Sequence, residues 1–309
     1  DVNFREEKKL LSNEILDSVK RELQSATTSV QIITAYCKQT TFMRLNSFIS
    51  EGVKDKRLLV RFRMDDVVKG STDFSILEDA LNDGWKVFIR FDLHAKTYIV
   101  DNKRGLIGSA NVTNSGFSIG KSGNMEMATL VDVEPHDIDK INKLFDDAIA
   151  VDISLVEKLK SQIKTIKSPS DKNNYSWDKS ILSLFNPHIE TLFSYELPEG
   201  SVLRDGEYFA FIDETYSGNV DKLKEKFRWS NAYLWLLDVL KEHDGCLYFG
   251  ELSKLLHDTM VSDPRPFRKD VKVLLRNLLN LILALDMEDI VIDRPNFSQR
   301  VRLKNTTAC

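Results

Sequence analysis

The sequence predicts an α/β domain, a mixed β-sheet layered between helices, followed by a smaller and mainly helical domain. Three observations carry this reading. The chain has 309 residues, long for a single hydrophobic core. Residues 1 to 150 alternate segments of helical and strand period. From Asn231 onward the helical period dominates until a terminal hairpin.

Taken in order, Phe4 to Gln24 places Leu10, Leu11, Ile15 and Val19 at helical spacing, and Ser29 to Tyr36 reads as a strand rich in β-branched residues. A helix follows over Thr41 to Ser50, a strand over Arg57 to Arg63, a helix over Asp73 to Asn82 and a strand over Trp85 to Arg90. Three further strands, Thr97 to Val100, Gly105 to Ile107 and Met125 to Val133, precede helices over Pro135 to Ala148 and Ile153 to Ile166. The polar stretch Lys167-Ser-Pro-Ser-Asp-Lys-Asn-Asn has no period and marks a boundary. The expected division is therefore a domain over 1–166, a linking region of unassigned fold over 167–230, and a third region over 231–309. In the last, helix Ala232 to Glu242, strand Cys246 to Phe249, helices Glu251 to His257 and Pro266 to Leu285, and a hairpin from Ile290 to Leu303 follow the order of a winged helix.

Composition narrows the function. Hydrophobic residues make up 42% and charged residues 29%, which excludes disordered and fibrous classes, while the net charge of -4 argues against a surface that coats nucleic acid throughout. The opening Asp1-Val-Asn-Phe-Arg-Glu-Glu-Lys-Lys is too charged for a signal peptide. The longest apolar run, Leu278 to Leu285, is far short of the roughly 20 residues that span a bilayer. Cys37, Cys246 and Cys309 form no C-x-x-C pair, so no disulfide framework or structural zinc site is signalled. A cytoplasmic protein without a membrane partner or cofactor is expected.

The stretch from Phe91 to Asn111 holds the chemistry. His94, Lys96, Asp101, Gly108, Ser109 and Asn111 stand at fixed short spacings. Two residues apart on extended backbone, His94 and Lys96 share a face, which sets a nucleophile beside an anion anchor. The small Gly108-Ser109 pair lets a second strand bring the Ser109 hydroxyl and Asn111 amide to the same pocket. Such donors suit the equatorial oxygens of a phosphoryl group, and imidazole can attack phosphorus or return a proton near neutral pH. Gly116-Phe-Ser-Ile-Gly-Lys-Ser looks like a phosphate-binding loop, but three residues separate its glycines where four are needed, so it reads as an ordinary loop.

This spacing resembles the HKD motif of the phospholipase D superfamily, over roughly residues 20 to 150. The resemblance implies a phospholipase D-like layered sandwich in which Lys96 and Asn111 bind the phosphate, Ser109 assists and Asp101 is mainly structural. Glu126, in Asn124-Met-Glu126, resembles the carboxylate that orients the nucleophilic His94, and no metal is implied. Only one motif is present, because His136, His188, His243 and His257 have no lysine two residues on. In-line displacement uses one imidazole as nucleophile and another as general acid, so a twofold homodimer with one composite site is expected. Single-motif members include bacterial restriction nucleases, which implies DNA as substrate, a defence setting and a separate ATPase or helicase subunit as partner.

The C-terminal region fits this. Arg268, Lys269, Lys272 and Arg276 fall on one side of its long helix, with Val271, Leu274, Leu275, Leu278 and Ile282 on the other, while Arg300 and Arg302 alternate with Val301 and Leu303. These six basic residues are the expected DNA contacts. Two other readings stay open: a phospholipid hydrolase or phosphatidyltransferase, and a DNA-binding subunit without catalysis.

Overall fold

The computed structural model describes residues 10–120, 123–166, 174–262 and 264–306, and the chain divides into two compact units, Asp1–Phe185 and Asn186–Cys309. The first unit contains, in order, β1 (Leu10–Leu11), α1 (Ile15–Ser25), β2 (Ser29–Thr34), α2 (Gln39–Asn46), β3 (Asp55–Arg61), α3 (Met64–Val68) and α4 (Ile76–Asn82). It continues with β4 (Lys86–Arg90), β5 (Thr97–Val100), β6 (Arg104–Gly108), β7 (Ala128–Asp132), α5 (Pro135–Asp146), β8 (Ile149–Ala150), α6 (Ile153–Ile163) and α7 (Lys179–Leu182). All eight strands join one sheet in the order β1-β7-β6-β5-β2-β3-β4-β8.

Connections decide strand direction. Helices α2, α3 and α4 carry the chain between β2, β3 and β4, which pair in parallel, whereas β5, β6 and β7 pair antiparallel, β5 and β6 through the tight turn at 101–103 and β6 and β7 through the longer segment 109–127. Strand β2 sits at the centre with all six residues buried. On one sheet face Ile33 of β2 and Leu59 of β3 pack with Phe145 of α5, supported by Phe88 of β4. Helix α5 begins with Glu134 and Asp137 in a capping box and Pro135 in its first turn, the start its sequence predicts.

The expected N-terminal helix is shorter than its periodicity indicated. Leu10 and Leu11 pair with Thr129 and Ala128 of β7 as a strand, and helix begins at Ile15; residues 4–9 of the expected helix lie outside the described residues. Two residues that satisfy a helical spacing also satisfy strand alternation, with Leu11 buried and Leu10 exposed. The strand expected over Met125–Val133 is confined to Ala128–Asp132.

Residues 167–173 of the polar boundary stretch lie outside the described residues, and the region expected to stand apart at 167–230 is shared between the two units. Trp177 stacks on Phe62 with centroids 6.0 Å apart and donates its indole N–H to the Phe62 carbonyl, and Phe185 packs edge-on against Phe91. In the second unit Leu192, Leu197, Phe209, Leu223 and Phe227 join the core built on Tyr233 and Trp235. Burial of these aromatic and aliphatic side chains assigns the segment; loop composition carries no such information.

The second unit comprises β9 (Tyr208–Phe209), β10 (Glu214–Thr215), α8 (Val220–Arg228), α9 (Asn231–Glu242), β11 (Cys246–Tyr248), α10 (Phe249–Thr259), α11 (Arg268–Ala284), β12 (Ile290–Asp293) and β13 (Arg300–Leu303). β13 lies between β11 and β12 in an antiparallel sheet, so the terminal hairpin gains the short earlier strand as its third member. Helix α11 buries Val271, Leu275, Leu278 and Ile282 and leaves its basic side to solvent. Cys37 is buried and free, whereas Cys246 is disulfide-bonded, a link the cysteine spacing did not signal. Among the described residues no helix is long and apolar enough to cross a membrane.

Candidate active site

After β4 the chain passes through His94 and Lys96 into β5, and the Gly108 N–H, at the end of β6, donates to the Lys96 carbonyl at 3.3 Å. The motif thus lies where β5 begins and β6 ends. His94 is exposed, while Lys96 is buried with only 9% of its surface accessible. The Lys96 Nζ donates to the His94 carbonyl at 2.7 Å and stands 3.2 Å from each imidazole nitrogen. The two-residue spacing brings them together, although in the approach to the strand and not within it.

Partial desolvation, then the positive charges of Lys96, Arg61 and Arg63, hold the His94 pKa below its ordinary value. Its imidazole is therefore mostly neutral at pH 7, as a nucleophile must be. Desolvation, then Arg61, lowers the Lys96 pKa as well, and the negative charge of Glu126 opposes that shift.

Arg61 and Arg63 were missed in the sequence. Arg61 ends β3 and forms a bidentate pair with Asp66, both contacts 2.8 Å and both residues buried, with its guanidinium 4.7 Å from the centre of the Tyr36 ring. Arg63 donates to the Phe91 carbonyl. The available signal was the placement of two arginines directly after the buried apolar run Leu58-Leu59-Val60, where a buried charge is retained only if it is paired.

Asp101 lies at the other end of β5, remote from this cluster. It occupies a left-handed turn position with φ 53°, and its carboxylate accepts from the N–H groups of Thr27, Thr28 and Ser29 at 3.0, 2.7 and 2.9 Å. Burial pushes its pKa up, but the Ser29 and Thr28 amides and the Thr27 and Thr28 hydroxyls outweigh that and hold it well below the usual carboxylate range. Asn111 is anchored by the end of β2 and the residues after it. Its carbonyl oxygen accepts from the Tyr36 N–H at 3.0 Å and the Thr34 hydroxyl at 3.4 Å, which leaves the amide NH2 as the group that can donate.

Ser109 donates its hydroxyl to Glu126, and Asn124 donates to the other Glu126 oxygen at 3.1 Å. Among the described residues no hydrogen bond joins Glu126 to His94. The imidazole-orienting contact implied for Glu126 is not made in this arrangement; its carboxylate oxygens accept from Ser109 and Asn124 instead. Close backbone approach here requires glycine. A Cβ on Gly108 would lie 2.5 Å from the Met127 carbonyl, and one on Gly116 2.5 Å from the Asn111 carbonyl. Of the loop that mimics a phosphate-binding motif, Lys121 and Ser122 lie outside the described residues.

In the second unit Arg268, Lys269, Lys272 and Arg276 are exposed on α11. Arg300 differs, since it forms a bidentate pair with Asp293 at 2.8 and 2.7 Å, and Arg302 lies 3.7 Å from the same carboxylate. Part of the expected basic strand is thereby neutralised. Also in this unit, ligand atoms of His188, Asp238 and Glu242 lie within 4.8 Å of one another, and these three could hold a cation; His188 Nδ1 is already 2.8 Å from Asp238.

Residues 19–149 match a family model described as cardiolipin synthase, phospholipase D-like domain. No curated protein matches the sequence. The chain is similar to the solved structure of Nuc, a phospholipase D family member from Salmonella typhimurium, at 18% identity and TM-score 0.38, over 47% of this chain and 99% of that one. It is similar to NucT from Helicobacter pylori at 18% identity and TM-score 0.36, over 47% and 98%. Phosphatidylserine synthase from Haemophilus influenzae shares 11% identity at TM-score 0.40, over 56% and 45%.

Proposed function

Residues 19–149 of this chain are a phospholipase D-like domain, which makes it a member of that superfamily, and from that premise we propose that it is a nuclease cleaving DNA through a phosphohistidine. The observation that carries the reading is the placement of the Lys96 ammonium 3.2 Å from both imidazole nitrogens of His94, with Arg61 and Arg63 adding positive charge. A nitrogen of His94 attacks phosphorus, the new P–N bond replaces the P–O bond to the leaving strand, and that oxygen takes a proton from the imidazole of a second copy. Water then attacks the phosphohistidine, gives its proton to the second imidazole and releases His94. Lys96, Arg61 and the Asn111 amide stabilise the negative charge that builds on the phosphoryl oxygens. No step requires a metal ion. Asp101 holds the turn, and Glu126 positions Ser109, with the imidazole-orienting contact formed only on reorientation.

The second imidazole makes the protein a homodimer in this proposal. A row of apolar side chains beside the site supports it. Leu10 and Ile107 both lie opposite Thr129 on neighbouring strands. Leu10 is 63% exposed, Ile107 49%, Met127 50% and Met125 90%, and the two methionines flank Glu126. A sheet face this apolar at the rim of an incomplete site fits a second copy. The exposed basic side of α11, in a unit with the element order of a winged helix, steers DNA to the site. We place the activity in restriction or anti-phage defence, with target choice supplied by an ATPase or helicase subunit.

The family model's description favours one competing reading, phospholipid head-group chemistry. Incubation with plasmid, single-stranded DNA, RNA and anionic vesicles, each with and without EDTA, separates the two. Plasmid nicking that persists in EDTA and vanishes in His94→Ala is expected. Head-group release without nicking would establish the lipid reading instead.

A further inference from the structure

A cavity of about 350 Å3 lies against the phosphate-binding side of the site, with Tyr36, Lys38, Thr40, Ser71, Thr113 and Ser115 among its walls. Its link to the site is direct. Tyr36 N–H holds the Asn111 side chain, Cys37 bridges Val112 in parallel, and Lys38 N–H donates to the Val112 carbonyl at 2.8 Å. Residues 36–38 and 111–113 therefore run side by side, with Asn111 at one end and the cavity at the other.

Charge and lining decide what it takes. The Lys38 ammonium is bonded to Asp73 and to the Gly70 carbonyl, and Asp73 also accepts the Gln39 N–H at the start of α2. Among the described residues Lys38 is the one cation of the lining, and it is thereby neutralised; the helix start already faces a carboxylate, so a second phosphate gains little here. An acyl chain is disfavoured too, because the walls hold no aliphatic side chain and four hydroxyl-bearing residues, Thr40, Ser71, Thr113 and Ser115, among the described residues. Thr113 Oγ1 accepts the Gly116 N–H at 3.0 Å, which leaves its own O–H to donate. Tyr36, braced by Arg61 at 4.7 Å from its ring centre, supplies an aromatic wall. An aromatic surface with hydrogen-bonding edges and no net charge matches a nucleobase with its sugar. The volume is at the small end of the ligand-pocket range of about 300–1,000 Å3, the size for one nucleoside.

We propose that this cavity is a nucleoside subsite, seating the base and sugar next to the scissile phosphate; the assignment rests on the nuclease reading above. Thymidine 5′-(4-nitrophenyl phosphate) and bis(4-nitrophenyl) phosphate share the reacting group, and only the first carries a nucleoside. In the full chain, Ser71→Trp or Thr40→Trp, which fill the cavity, should raise KM for the thymidine ester about ten- to one-hundredfold and leave bis(4-nitrophenyl) phosphate hydrolysis within about twofold. Equal effects on both substrates, or none on the thymidine ester, overturn the subsite. Calorimetric binding of thymidine 5′-monophosphate to His94→Ala, with and without Ser71→Trp, gives a readout independent of turnover. A wild-type protein that hydrolyses neither ester while Ser71→Trp still weakens nucleotide binding would end the nuclease reading and keep the subsite. Nucleotide binding indifferent to Ser71→Trp would end the subsite.

Discussion

In the proposed reaction the chemistry at His94 turns on charge. Desolvation and three neighbouring cations keep its pKa below the ordinary imidazole value of 6.5, so the neutral nucleophile persists to lower pH. The same shift strips the proton from the general-acid imidazole earlier as pH rises. Both limbs of a bell-shaped profile therefore move down, and kcat/KM is expected to peak below pH 6.5. Lys96→Met removes one of the depressing charges and should move the residual profile upward; an unmoved profile would show that Lys96 acts on the phosphate alone. Asp101 works through stability. Its folded-state pKa is depressed, so its contribution is present above the unfolded carboxylate pKa of about 3.9 and is lost as pH falls through the folded value. Asp101→Ala leaves three backbone N–H groups without their acceptor, and denaturant titration at pH 7 should show a loss of about 1–2 kcal/mol, reduced because the turn faces solvent. At this scale the meeting of Lys96 with His94 was legible because only one residue separates them in the sequence. Arg61 and Arg63 were not, since β3 is brought to the site only by pairing with β2 and β4.

Among elements, those with several turns of periodic burial were read closely. Helix α5 starts at the predicted Pro135, and α11 buries the predicted apolar side. Elements of two to five residues, β1, α3 and β8, carry too little period to be recognised. The turn after Asn111 shows what such segments control. Gly116 packs so closely that a Cβ would sit 2.5 Å from the Asn111 carbonyl and 2.9 Å from its amide nitrogen. Gly116→Ala must displace Asn111 and is expected to lower kcat by about tenfold or more with a small change in Tm. Full activity in that variant would mean that the position of Asn111 is immaterial to the reaction.

On the scale of the whole molecule the proposed reaction requires a second imidazole. Ile107→Asp combined with Met127→Asp adds charge to the exposed apolar face without touching the buried core. Sedimentation should then give a monomer, and nuclease activity should fall by about 100-fold or more with an unchanged Tm. A double variant that stays dimeric would place the subunit contact elsewhere. The net charge of -4 also takes on a different meaning once located, because the four exposed cations of α11 stand on one helix side of an acidic chain.

The amino-acid sequence alone determined the α/β class, the HKD-like spacing and the order of the C-terminal elements, because backbone period and short-range spacing are local properties. Tertiary structure alone decided the rest. It brought Arg61 and Arg63 to His94, gave both oxygens of Glu126 to Ser109 and Asn124, tied Arg300 to Asp293, and set the neutralised Lys38 beside a cavity. Each of these joins residues whose meeting depends on strand pairing or on competition for a partner, and neither is encoded in the spacing of a single segment.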